Sequence, residues 1–239
     1  MPEPRHHAFA YVDIEGSSRL STPDKEAVQN DVANMLEEAC AEAGVIDPAW
    51  EDRGDGYLLV CPADGIPLRT LVSALAGSLD AALASRTVGQ TRLRLRLIVH
   101  HGEILRGDRG WRGPELDHAA RLVDAAEIKA TLNETPDGRM AFVLAPELYH
   151  SVVRGYPKPD PTAFRMRRVM TKEGPLESWL TITGAATQPG READEDPVSP
   201  QMPVLPVQTI NHVGTATDSP VGNTVSGGIN YGTDRPGKR

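Results

Sequence analysis

The sequence predicts an α+β domain with a ferredoxin-like βαββαβ order: an antiparallel-rich sheet with helices on one face, followed by a disordered tail. Two observations favour this fold class. Short apolar runs of strand character alternate with long amphipathic segments. The run RLRLRL at 92–97 alternates with period two, which is typical of one face of a strand. A change of composition near Gly184 limits the domain to residues 1–184.

The elements follow from periodicity and from turn residues. The helix at 24–44 has a single apolar face and stops at Gly44, and Gly-Asp-Gly marks the turn of a hairpin. We predict, in order, a strand at 8–14, the helix at 24–44, a hairpin at 50–62, a helix at 68–85, a strand at 92–104, a helix at 113–134, a strand with a short helix at 140–153, and a hairpin at 164–183.

Composition excludes several classes of function. The net charge is −8, so a nucleic-acid backbone is not an expected partner. The two cysteines do not form a disulfide framework, which favours a reduced, cytoplasmic setting. No apolar run approaches the roughly 20 residues of a membrane helix, and the N-terminus has no secretory core. We therefore expect no membrane association.

Two aspartates stand at predicted strand ends. Asp13 ends the first strand, and Asp55 lies between Gly54 and Gly56 in the hairpin turn. In a ferredoxin-like sheet these ends are neighbours, so the two carboxylates can share divalent cations, which prefer oxygen ligands. The alternative is an ordinary Asp-Gly turn beside an unrelated strand-end Asp.

The helix at 113–134 follows a glycine-rich loop and carries Asp117 and Arg121, four residues apart on one face. Arginine suits a phosphoryl transition state because it is planar, always charged and bidentate. The alternative is a solvated ion pair within one helix.

The segments FAYVDIEGSSRL, EDRGDGYLLV and LRLIVHHGEILRGDRGWRGPELDHAARLVDA, in this order, resemble the class III nucleotidyl cyclase homology domain over about residues 8–182. The likeness is to short, single-domain actinobacterial proteins. The resemblance implies that Asp13, the Ile14 carbonyl and Asp55 hold two Mg²⁺ or Mn²⁺ per active site. It implies that Arg121 stabilises the transition state and Lys172 steadies the triphosphate. An NTP would become a 3′,5′-cyclic nucleotide and pyrophosphate at a homodimer interface.

The chain departs from the family at the substrate positions. Asp117 replaces the usual Asn that orients the ribose. Glu51 stands where adenylyl cyclases carry Lys and guanylyl cyclases carry Glu, and Gly110 replaces the second base-reading residue. We place Trp50 and Trp111 near the base and expect GTP or a pyrimidine NTP rather than ATP. Antiphage pyrimidine cyclases of the same superfamily also lack the adenine pair, so signalling or defence is the implied role.

Other acid and histidine residues are assigned no metal. Glu15 occupies a variable family position, and we expect it to lie in solvent or to support the site indirectly. His100, His101 and His118 match no zinc spacing, which favours packing or surface roles.

Beyond residue 184 the sequence changes twice. Residues 185–208 are rich in Pro and acid and predict a disordered linker. Residues 209–233 resemble bacterial amyloid signalling motifs related to the RIP homotypic motif, because uncharged Asn, Thr and Val segments can stack in register. Residues 234–239 are expected to be disordered. Such a motif could template an effector protein, so a second hypothesis is a degenerate, nucleotide-binding scaffold. An ordinary disordered tail is the alternative.

Overall fold

A computed structural model describes residues 3–62, 66–86, 92–108 and 110–185. The strands are β1 (Arg5–Ile14), β2 (Ala49–Asp52), β3 (Gly56–Cys61), β4 (Leu95–Gly107), β5 (Gly110–Arg112), β6 (Met140–Leu144), β7 (Arg165–Thr171) and β8 (Gly174–Thr183). The helices are α1 (Thr22–Ala43), α2 (Leu68–Ser85), α3 (Pro114–Asp124), α4 (Ala126–Asn133) and α5 (Pro146–Val152). The predicted linker and tail motif lie outside the described residues, apart from Ala185.

One sheet runs through the domain in the order β2-β3-β1-β4-β6-β8-β7, with β5 paired to β4. All neighbouring pairs are antiparallel except β4 with β6. The first four strands and the first two helices form the predicted ferredoxin-like βαββαβ unit. The α+β, antiparallel-rich fold class is therefore confirmed.

Helices cover both faces of this sheet, which corrects the expectation of helices on one face. Strand residues alternate between two cores: Ala10 packs in the core that contains α1, α2 and α5, whereas Phe9 packs in the core that contains α3 and α4. The prediction holds for α1 and α2, the helices of the βαββαβ unit. We call the surface of the sheet that α3 and α4 cover the α3/α4 face.

Local sequence explains where most helices begin and end. The Ser21 side chain caps α1 by accepting a hydrogen bond from Asp24 N–H, and Gly44 ends it in a left-handed conformation (φ 72°). The predicted helix at 113–134 is two helices, because Ala125 is extended (φ −61°, ψ 135°). The interruption buries Ala125 together with Ile128 of α4. Strand β5 was not predicted.

No helix in the described ranges is long and apolar enough to cross a membrane.

Candidate functional site

The carboxylates of Asp13 and Asp55 come from adjacent strand ends, as the sequence predicted. Asp13 lies opposite Gly56 in the β1–β3 ladder, and Ile14 N–H donates to the Asp55 carbonyl over 2.8 Å. A Cβ on Gly56 would lie 1.9 Å from the Val12 carbonyl oxygen, so only glycine permits this approach. Gly54 adopts φ +81° on the other side of Asp55. The Gly-Asp-Gly turn thus holds Asp55 against the end of β1.

Asp13 is a buried carboxylate in a crowded electrostatic environment. It is 7% exposed and forms an ion pair with Arg96 across the β1–β4 ladder. Burial raises the pKa of Asp13 to about 6; Arg96 opposes the rise, and Asp55 and Asp124 add to it. Oδ2 of Asp13 has no hydrogen bond besides this ion pair. A hard divalent cation fits this site, because the ligand atoms of the site are oxygens and the carboxylates of Asp13 and Asp55 repel one another.

Glu15 is separated from this site by its own partner. Its carboxylate forms an ion pair with Arg94 Nε over 2.6 Å, and both side chains are mostly buried. Arg94 and Arg96 are alternate residues of the RLRLRL run, so they lie on the same face, and each meets one acid at the end of β1. Glu15 therefore has a structural role just beyond the end of β1, beside the Asp13–Asp55 pair.

Asp117, Arg121 and Lys172 line one open groove of about 560 Å³ between α3, the start of α4 and the β7–β8 turn. Arg121 Nε forms an ion pair with Glu173 Oε2 over 3.2 Å. No hydrogen bond or ion pair within the described ranges joins Asp117 to Arg121. The groove therefore gathers three of the predicted site residues from two separate elements.

The acid pair and the groove are not joined to each other. Over the residues that the structure describes, no ion pair links Asp13 or Asp55 to Arg121 or Lys172. Asp124 lines the groove and also raises the pKa of Asp13. One chain thus presents the Asp13–Asp55 pair and the groove of Arg121 and Lys172 on the same face of the sheet.

The predicted base-reading positions meet at the β4–β5 hairpin. Glu51 Oε1 accepts from Trp111 N–H over 2.7 Å, and Glu51 Oε2 pairs with Arg53 over 2.6 Å. Gly110 has φ +95°, and a Cβ there would lie 2.2 Å from Glu51 Oε1. Glycine at position 110 therefore makes room for the Glu51 carboxylate.

The structure does not bring Trp50 to this group. Its ring packs against the core beneath α1 and α2, whereas Trp111 packs on the α3/α4 face. Neighbouring residues of a strand point to opposite faces, so Trp50 and Glu51 cannot share a site on one face. Trp50 is partly buried and packs against this core.

Three residues at these sites were not predicted. Arg96 holds Asp13, Asp124 adds negative charge beside it, and Glu173 holds Arg121. The alternation of RLRLRL placed the arginines on one strand face, but only the β1–β4 register reveals their partners. No sequence signal marks Asp124 or Glu173.

Comparisons with known proteins identify the fold. No protein-family model and no curated protein matches the chain. Solved structures do match it. The adenylate/guanylate cyclase/hydrolase from Silicibacter pomeroyi has a TM-score of 0.56 and 19% identity, covering 76% of this chain and 99% of its own. The guanylyl cyclase Cya2 has a TM-score of 0.54 and 16% identity, covering 81% and 99%.

The guanylate cyclase domain of RhGC from Catenaria anguillulae, in complex with GTP, has a TM-score of 0.52 and 17% identity, covering 78% and 100%. At such low identities the likeness shows the fold alone. The chain has the fold of adenylate and guanylate cyclase domains.

Proposed function

We propose that this protein is a nucleotidyl cyclase of the short, single-domain actinobacterial type, converting an NTP to a 3′,5′-cyclic nucleotide and pyrophosphate. The observation that carries the proposal is the placement of Asp13 beside Asp55 at the strand ends of a cyclase fold. In the class III cyclases that the sequence resembles, the active site forms between two domains, so we infer that the Asp13–Asp55 acids of one subunit and the Arg121 groove of the other complete each site in a homodimer.

The carboxylates of Asp13 and Asp55 and the Ile14 carbonyl would hold two Mg²⁺ or Mn²⁺. These cations, when bound, make the ribose 3′-hydroxyl more acidic and neutralise triphosphate charge. The buried Asp13 carboxylate and the glycine-flanked Asp55 keep this part of the site in place before substrate arrives.

Arg121 and Lys172 of the groove act on the phosphates. The 3′-oxygen attacks the α-phosphorus, the bond to the bridging oxygen breaks, pyrophosphate leaves, and the 3′-hydroxyl proton passes to solvent. Arg121 donates hydrogen bonds to the phosphoryl oxygens as charge develops, and Lys172 neutralises the triphosphate. Asp117 accepts a hydrogen bond from a ribose hydroxyl.

Base selection is assigned to Glu51, Gly110 and Trp111. A carboxylate only accepts hydrogen bonds, so Glu51 suits a base edge that presents N–H donors. The Glu51 carboxylate already accepts from Trp111 N–H, which fixes its position. Adenine also presents an N–H donor, so the preference for GTP or a pyrimidine NTP over ATP, in signalling or antiphage defence, rests on the resemblance at position 51.

The decisive experiment incubates the purified full chain with Mn²⁺ and each of the four NTPs and identifies products by mass spectrometry. We expect one cyclic nucleotide with the wild type and none with Asp55→Asn. Glu26→Gln is the matched control, because Glu26 is an exposed acid on α1. Absence of cyclic product with every NTP would refute the proposal, as would full activity of Asp55→Asn.

Mixing variants tests the shared site. Asp55→Asn and Arg121→Ala should each be inactive alone. If the two parts come from different subunits, half of the randomly mixed dimers have one intact site of two, giving about a quarter of wild-type activity. No recovery in verified mixed dimers would contradict a site shared between subunits.

The second candidate is a nucleotide-binding scaffold whose tail recruits an effector. It is motivated by Asp117, which adds negative charge where the family has a neutral amide. In this proposal the cyclase-like domain spans 1–184, a linker spans 185–208, the amyloid motif spans 209–233, and 234–239 is a terminus; the protein acts in the cytoplasm. Nucleotide binding without turnover, together with thioflavin-positive fibres of 209–233, would support it. A motif that remains monomeric would contradict it.

A further inference from the structure

A second cluster of potential metal ligands lies on the α3/α4 face. His100 comes from β4, and Glu115 and His118 come from α3. One ligand atom from each lies within 4.8 Å of the others, and His100 Nε2 is 3.6 Å from Glu115 Oε2. Glu115 and His118 are three residues apart, so both project from one side of α3. None of the three belongs to the proposed cyclase site.

One imidazole nitrogen of each histidine lacks a partner. Nε2 of His100 and Nε2 of His118 are both buried, and neither has a hydrogen bond. Leaving a buried polar atom unsatisfied is unfavourable. Two such atoms, on rings that cluster with a carboxylate, are explained by a ligand that accepts lone pairs from all three side chains.

The state of His100 suits this role. Burial lowers the pKa of His100, so the ring is kept neutral; His118 and His101 add to this, and Glu115 and the His101 backbone oppose it. Its Nδ1 lies 2.8 Å from the carbonyl oxygen of His101, to which it donates in one tautomer; in the other tautomer it accepts a hydrogen bond from the His101 N–H over 2.8 Å. In the tautomer where Nδ1–H donates to this carbonyl, the Nε2 lone pair faces the cluster. Metal-bound histidines commonly have such a backbone partner.

Packing around the cluster holds the ligands in place. Phe9 stacks on His100 with ring centroids 5.5 Å apart and an interplanar angle of 8°. A Cβ on Gly102 would lie 2.3 Å from Glu115 Cγ, so β4 and α3 approach closely there. The His100 and His118 rings lie 5.1 Å apart. The cluster is therefore built into the junction between β4 and α3.

We propose that His100, Glu115 and His118 form a Zn²⁺ site that fastens α3 to β4. Two imidazoles and a carboxylate are a zinc ligand set, and ligands at zinc distances are separated by about 3.3 Å in a tetrahedral arrangement. The 3.6 Å separation of His100 Nε2 and Glu115 Oε2 is already close to this value. The spacing of the histidines does not reveal the site, because the third ligand is a carboxylate.

The site differs chemically from the Asp13–Asp55 site. Nitrogen donors favour Zn²⁺ and other late transition metals, whereas two carboxylates and a carbonyl favour Mg²⁺ or Mn²⁺. The zinc proposal therefore does not depend on cyclase activity.

The test uses the full chain after dialysis against a chelator, titrated with Zn²⁺ under calorimetry and with Co²⁺ by visible absorption. We expect one Zn²⁺ per chain, a Co²⁺ spectrum of low coordination number, and a higher melting temperature with Zn²⁺. Asp55→Asn should bind zinc unchanged, which separates this result from the proposed function.

Variants locate the metal. His118→Ala and Glu115→Gln should each weaken Zn²⁺ binding by at least about tenfold, the loss typical of even an indirect ligand partner. His150→Gln is the control, because His150 is an exposed histidine of α5, outside the cluster. Circular dichroism without metal checks folding, and Glu115→Gln, which keeps the side-chain volume, serves if His118→Ala does not fold. Unchanged zinc affinity in a folded ligand variant would overturn the proposal, and so would a wild type that binds no zinc.

Discussion

Asp13 predicts how cation binding depends on pH. Burial raises its pKa from 3.8 to about 6, and Asp55 and Asp124 oppose its ionisation further. At pH 7 about nine-tenths of the carboxyl is ionised, and at pH 5 about one-tenth. Because a bound cation needs the carboxylate, Mn²⁺ affinity of the nucleotide-free protein should fall about tenfold from pH 7 to pH 5. If the pKa of Asp13 were 3.8, the Mn²⁺ affinity would hardly change between pH 7 and pH 5.

The same shift affects stability. The folded-state pKa lies above the unfolded value, so the folded chain binds more protons between about pH 4 and pH 6. The contribution of Asp13 to stability therefore decreases as pH rises through this range. Two pKa units correspond to about 3 kcal/mol. Without metal, the stabilisation that protonated Asp13 provides is lost by pH 7. Mn²⁺ should therefore raise the urea midpoint of unfolding at pH 7 but hardly at pH 5.

Electron paramagnetic resonance of free Mn²⁺ measures the affinity at each pH. Asp13→Asn should abolish the pH-dependent binding. His118→Ala should retain it, which excludes titration of the histidine cluster as its source. A wild-type Mn²⁺ affinity that stays constant from pH 7 to pH 5 would refute the reasoning, as would the same pH dependence in Asp13→Asn.

Three further substitutions follow from the structure. Gly110→Ala should lower the free energy of unfolding by at least about 1 kcal/mol, because φ is +95° and the Cβ would lie 2.2 Å from Glu51 Oε1 of β2. The control is Gly77→Ala, which lies in open space on α2 and should be stabilising in the same urea titration. Glu173→Gln frees Arg121 from an exposed pair, so KM for the NTP should fall about two- to fivefold with stability nearly unchanged; a higher KM would contradict this. Trp50→Phe should cost about 1–2 kcal/mol in stability and leave the ratio of kcat/KM among NTPs unchanged; altered base preference would place Trp50 at the substrate.

Hydrophobic period and turn residues predicted most of the fold because these signals are local. The helix at 68–85 has the predicted bounds, and the Gly-Asp-Gly hairpin lies where expected. The break at Ala125 has no such signal: no Gly or Pro marks it, and it is set by packing of α3 and α4 against the sheet. Packing of α3 and α4 against the sheet therefore sets this helix boundary, which the local sequence does not predict.

The candidate site divides in the same way. Asp13 and Asp55 were predictable because turn glycines and strand ends are visible in sequence. The partners of Asp13 and Asp55 depend on the cross-strand register. A slip of one residue in that register moves every side chain of the strand to the opposite face. Alternation separates Trp50 from Glu51, but which face carries the site is known only once α3 is placed.

The two acids at the end of β1, Asp13 and Glu15, show why only one is expected to bind a cation. Glu15 and Arg94 form a mostly buried pair whose charges cancel. Asp13 pairs with Arg96 in the same way, but Asp55 and Asp124 also act on it, and Lys129 already pairs with Asp124. The formal charge of this group is three negative against two positive, which leaves one negative charge around a buried carboxylate. A divalent cation at Asp13 would offset that charge, whereas at Glu15 it would have to displace Arg94 from a balanced pair.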